Sequence, residues 1–295
     1  MSWANPVVAR LAAGEDLEGQ HDGLLLICSW PMPQHVQAQY NAFRTRLVAA
    51  LPPQAYVYPA ATLHCTIATL RAFTAGRLDE PAGEQARARW TQVLDAARAM
   101  PEWPARPFKL RMNPPTLEGA AAVFRYDDVD GAVERMRTCV RAAIRAHGGV
   151  AAEGGGDRSK AKAIAGSPAK EPAAHIPDIV HSTAVRWTAE VKDRAAAQRA
   201  FEEVAATWAP IEITASGAWA VQETVPFMHI RTSTKPWWTS SIVSPPSHAA
   251  QWLKEVLEAL ACIMLPFLYI WLSVALGGKM PGKAGSDSKL HPLAL

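Results

Sequence analysis

The sequence predicts an α+β protein of two matched halves followed by an apolar C-terminal helix, and three observations lead to it. Short apolar, β-branched runs alternate with longer stretches of helical spacing. The order of these elements occurs twice. Residues Ala259 to Gly278 form 20 positions without a charge, long enough for a helix of roughly 30 Å.

The first half opens with residues Leu24 to Trp30 (LLLICSW), a buried strand, and Gln34 to Leu51, a helix stopped by Pro52 and Pro53. Thr62 to Leu70 (TLHCTIATL) alternates as a strand. Gly83 to Met100 is helical, and Phe108 to Met112 and Ala121 to Tyr126 are strands, which completes a first lobe. The amphipathic stretch from Val129 to His147 is a helix ending on Gly148 and Gly149. After a Gly-, Ala- and Lys-rich linker (about 148 to 176) comes a strand from Ile179 to Trp187, then a helix from Val191 to Trp208. Strands at Ile211 to Ala215, Ala218 to Gln222 and Phe227 to Thr232 follow.

Composition narrows the function. At 295 residues, 49% hydrophobic and with 11 tryptophans, the chain can bury a sizeable core, so disorder throughout is excluded. A net charge of +3 is too mild for a surface that grips duplex DNA by neutralising many phosphates, yet it suits a small anionic ligand. Cys28, Cys65, Cys139 and Cys262 are scattered without C-x-x-C spacing and read as reduced thiols. The start, MSWANPVVARLAAGEDLEG, lacks the character of a secretory or transit peptide. No H-E-x-x-H, paired C-x-x-C or acidic cluster with ligand spacing occurs, so neither metal nor cofactor is expected. The run from Glu153 to Lys170 lacks phosphate-loop spacing and reads as a flexible linker.

Two histidines carry the chemistry. Leu63-His64-Cys65-Thr66-Ile67 in the first half matches Val180-His181-Ser182-Thr183-Ala184 in the second, the histidines lying 181 − 64 = 117 residues apart. About 0.1 such flanked His-x-Thr patterns are expected by chance, so two at matched positions demand a reason. Strand alternation puts His64 with Thr66, and His181 with Thr183, on one face, while Cys65 points to the other. Two such strands facing each other make a four-residue site.

These tetrads and the repeated element order resemble the 2H phosphoesterase superfamily, over roughly residues 20 to 235. The resemblance implies two pseudo-symmetric lobes, each with an antiparallel sheet and flanking helices, and a substrate cleft faced by His64, Thr66, His181 and Thr183. It implies a phosphodiesterase working on a nucleotide or RNA end, such as a 2′,3′-cyclic phosphate or 2′-5′ linkage. The chemistry asks for this set on its own account. One imidazole takes a proton from the attacking oxygen, the other protonates the leaving oxygen, and the threonine hydroxyls stabilise charge on the phosphoryl group without a metal. The alternative is a 2H-like module that has lost catalysis and holds nucleotide or RNA at a membrane.

Weaker candidates flank the motifs. Tyr56, Tyr58 and Trp187 could stack on a base, and Arg71 and Arg186 could meet phosphate. His175 reads as a loop residue.

The domain plan is an N-terminal extension (1–19), the two-lobed domain (20–238), a juxtamembrane linker (239–258), a transmembrane helix (259–278) and a polar tail (279–295). Trp237, Trp238, Trp252 and Lys254 precede the apolar segment and Lys279 and Lys283 follow it. The expectation is a tail-anchored membrane protein whose catalytic domain faces the cytosol.

Overall fold

The computed structural model describes residues 2–153, 173–225 and 235–241. The chain divides into two compact units. The first is Met1–Val243, and the second, Ser244–Leu295, lies outside the described residues.

Twelve strands and five α-helices are found among the described residues. In chain order they are α1 (Pro6–Ala12), β1 (Gly23–Cys28), α2 (Gln34–Ala50), β2 (Ala55–Val57), β3 (Cys65–Arg71), α3 (Glu80–Arg98), β4 (Phe108–Met112), β5 (Thr116–Glu118) and β6 (Ala121–Asp128). Then follow α4 (Ala132–Ala146), β7 (Val150–Glu153), β8 (Ala173–Ile176), β9 (His181–Trp187), α5 (Arg194–Ala205), β10 (Ile211–Ala215), β11 (Gly217–Glu223) and β12 (Trp238–Ser241).

Local chemistry sets the helix ends. The Asp79 side chain accepts the Ala82 N–H at 2.9 Å to start α3, and Asp193 does the same for Ala196 at 2.8 Å in α5. Asp128 caps α4, taking the Ala132 and Glu134 N–H groups at 2.9 and 3.0 Å. Gly148 adopts a φ of 73° just past that helix, a conformation costly for any residue with a Cβ.

One six-stranded sheet has the order β12-β11-β1-β3-β8-β7 and the other runs β10-β4-β6-β9-β2, with β5 beside β6. All pairings are antiparallel except β7 with β8. The α+β class with antiparallel sheets is as expected, but the division of labour between the halves is not. Each motif strand sits in a sheet drawn from both halves: β1 and β3 pair with β11 and β8, whereas β4 and β6 pair with β10 and β9. The first half therefore completes no lobe by itself.

The helices bury apolar stripes against these sheets in a continuous core. Val36, Tyr40, Phe43 and Leu47 come from α2, Trp90, Val93 and Leu94 from α3, and Val133, Met136, Val140 and Ile144 from α4. Each such side chain stabilises the fold by about 1.5–3 kcal/mol. Residues 2 to 19 join this packing: Trp3 stacks on Trp187 with ring centroids 4.9 Å apart, and Val8 and Leu17 are buried. At the other end, β12 pairs with β11, and the Trp238 indole donates to Asp95 of α3 at 3.0 Å, so the boundary expected after Trp238 falls inside a strand.

The membrane expectation is corrected. Among the described residues no helix is long and apolar enough to cross a membrane, and residues 259–278 lie outside them. The fold is therefore α+β without a transmembrane helix among the described residues, and tail anchoring, membrane localisation and the membrane as a partner are without support. The expected strand at 227–232 and nearly all of the linker at 153–170 also lie outside the described residues.

Candidate active site

Both motifs hold their histidine by the same device. A 3-10 turn at Ala60–Thr62, entered from Pro59, aims the Thr62 carbonyl at His64, whose Nδ1 lies 2.7 Å away. A carbonyl can only accept, so Nδ1 carries the proton and Nε2 keeps a lone pair. In the second motif the His181 ring bonds the Ile179 carbonyl, again two residues upstream. His64 is buried and His181 half-buried.

The middle residues of the tetrads join the two strands. Cys65 and Ser182 are buried on the face opposite the histidines, as alternation requires. The Ser182 hydroxyl donates to the His64 carbonyl, and the Tyr126 hydroxyl donates to Ser182 at 3.0 Å. The motifs are thus brought together although 117 residues separate them. Cys65 stands in register with Cys28 on β1, and burial pushes its thiol pKa well up, which denies it the role of a thiolate nucleophile.

The histidines sense one another. Burial, opposed by the Thr62 carbonyl and reinforced by His181, lowers the His64 pKa to about 4. The His181 pKa is lowered too, first by burial. Arg137 and Arg186 push it further down, while the Ile179 carbonyl and Glu118 pull it up. Glu118 accepts from Arg125 at 2.5 and 2.9 Å, and Arg125 sits directly across from His181 on β6. Both imidazoles are therefore neutral near pH 7 in the free protein.

Each motif strand carries a bulge at the residue after its threonine. On β3, Thr66 pairs with Ile27 and Ala68 with Leu26, leaving Ile67 extra; on β9, Thr183 pairs with Val123 and Val185 with Ala122, leaving Ala184 extra. A bulge inserts one residue and shifts the alternation. Half-buried positions are accordingly Thr66, Thr69 and Arg71 on one strand, and His181, Thr183 and Arg186 on the other. Arg186 thereby shares the face of His181 and Thr183, and its guanidinium hydrogen-bonds the Tyr58 hydroxyl.

The remaining candidates are placed differently. Trp187 is fully buried against Trp3 and has no face to offer a base. Tyr58 is also buried, its N–H on the Ala184 carbonyl at 2.9 Å, and it supports Arg186 instead of forming a platform. Tyr56 is half-buried, edge-on to Tyr58. Arg71 is committed to the carbonyls of Asp22, Ala75 and Gly76, where it closes the following loop. His175 belongs to β8, opposite Thr69, and not to a loop.

Arg137, missed by the sequence reading, lies beneath the site. Its signal was a charge in the apolar stripe of α4, four residues after Val133 and three before Val140. Tyr126 and the Glu118–Arg125 pair were also missed, because only strand pairing brings them to His181 and Ser182. Among the described residues no group of three His, Cys, Asp or Glu side chains is placed to hold a metal ion.

No family model and no curated protein sequence matches the chain. Solved structures do resemble it. TT0787 of Thermus thermophilus is 14% identical, with 75% of this chain and 98% of that one covered at a TM-score of 0.42. LigT of E. coli, complexed with NADP+, is 14% identical, with 76% and 98% covered at 0.40. ATU0111 of Agrobacterium tumefaciens, a conserved protein of unknown function, is also 14% identical, with 71% and 84% covered at 0.40. At this distance the likeness bears no argument about activity, which rests on the site.

Proposed function

We propose that this protein is a metal-independent phosphodiesterase acting on nucleotide or RNA ends through His64 and His181. One observation carries the proposal: two imidazoles, each oriented by the carbonyl two residues upstream, stand at the starts of motif segments joined by Ser182, and each has a threonine two residues on. General acid–base catalysis needs a neutral base and a charged acid within reach of one phosphoryl group. An arriving phosphate anion supplies the asymmetry. Its charge raises the pKa of the imidazole beside it and converts that ring into the acid, while the other stays neutral as base. Thr66 and Thr183 donate to the non-bridging oxygens, and Arg186 adds positive charge on the same face.

A panel of 2′,3′-cyclic nucleotides and 2′-5′-linked dinucleotides in excess EDTA tests the reading. Turnover of at least one class is expected, with His64→Ala and His181→Ala each slower by at least about a hundredfold. Tight binding of the panel without turnover would favour a nucleotide-binding module, and near-normal hydrolysis by either folded variant would remove the two-histidine mechanism.

A further inference from the structure

Arg137 is buried, at 1% exposure, in a position of α4 whose neighbours along the stripe are apolar. Glu134 approaches it only at 3.8 Å and is itself on an exposed side chain. Taking an ion out of water costs several kcal/mol unless hydrogen bonds replace the lost solvation. Backbone carbonyls do so here. Nη2 donates to the Thr66 carbonyl at 3.1 Å and to the Ile179 carbonyl at 2.9 Å, and Nε points at the Ile67 carbonyl at 3.4 Å. A single nitrogen thus spans both motifs, and its second acceptor is the same carbonyl that holds the His181 ring.

We infer that Arg137 is a positioning residue of the two-histidine site, fixing the first motif strand against the carbonyl that orients His181. Its consequence for catalysis rests on the function proposed above; its consequence for the His181 ring does not. The guanidinium is planar and rigid, so two bonds from one end define a separation that a flexible ammonium cannot define. Its charge also faces His181, together with Arg186 from the same strand, Glu118 from β5 and His64 from the opposing motif.

The test compares Arg137→Met and Arg137→Lys, following both imidazoles by long-range 1H–15N NMR alongside kcat and KM. In the Met variant the His181 midpoint should rise and its tautomer should become mixed, with kcat down at least about tenfold and KM within about threefold, because small misplacements of reacting groups cost rate more than binding. In the Lys variant the midpoint should stay low while kcat still falls. A folded Met variant with unchanged His181 titration and kcat overturns the inference, and so does a Lys variant with full kcat. Should neither fold, the unsubstituted protein decides. A braced guanidinium rotates slowly and gives separate Nη signals, whereas one averaged signal overturns the brace. If the His64→Ala and His181→Ala enzymes keep their turnover, the two-histidine mechanism falls and the NMR comparison still judges Arg137.

Discussion

His64 and His181 are held alike but perturbed by different neighbours, and pH should separate the consequences. Both free-protein pKa values lie below the ordinary 6.5, His64 at about 4. A bell-shaped kcat/KM reports the free enzyme, so its optimum is expected on the acid side of pH 6.5. The kcat optimum should lie higher, since bound phosphate stabilises one imidazolium. Coincident optima above pH 7 would mean that the cleft is wetter than the burial of His64 implies. At this scale the sequence offers candidates where a local pattern suffices: His64, Thr66, His181 and Thr183 come from the tetrads alone. It misled at Trp187 and Arg71, because a side chain beside a motif has the same spacing whether it faces the cleft, stacks on Trp3 or closes a loop.

The paired bulges explain why alternation places only part of the site. Strict period two from His181 would put Val185 on its face and Arg186 on the other, yet the extra residue Ala184 reverses this. Nothing in the residue types announces that reversal. The bond from Ser182 to the His64 carbonyl works at the same scale. Ser182→Ala should leave that carbonyl and the Tyr126 hydroxyl short of a buried partner and destabilise the domain by about 1–3 kcal/mol in urea, with kcat reduced more than KM. An unchanged midpoint in urea would mean water replaces the serine. Cys65→Ser changes a side chain on the far face, and its turnover should stay within about tenfold of the parent; a larger loss in a stable protein would show that the register of β3 is different.

For the molecule as a whole, a histidine that folds into a neutral, buried state links stability to acid. The His64 pKa falls from 6.5 to about 4, so the unfolded chain binds the extra proton between those values. Its contribution is intact above pH 6.5, drains as pH falls toward 4, and amounts to on the order of 3 kcal/mol. His64→Gln should flatten the decline in stability between pH 6.5 and 4 measured by chemical denaturation; an equally steep fall in that variant would assign the acid sensitivity elsewhere. The matched order of elements was legible in the sequence, while the exchange of strands between the halves was not. Periodicity identifies a strand and its buried face, but β1 reads the same whether its second neighbour is close in sequence or, as at Ile27 and Trp219, 219 − 27 = 192 residues away.

That exchange has a cost in time. On the ribosome β1 emerges early and β3 soon after, so one edge of this apolar strand, LLLIC, is covered promptly. The other edge waits for β11. At about 5–20 residues per second the interval is about 10–40 s, during which unpaired backbone groups beside fully buried side chains stand open to other nascent chains. Synthesis of this protein should therefore depend on holdase chaperones, and a permuted gene that places β11 directly before β1 should relieve that dependence.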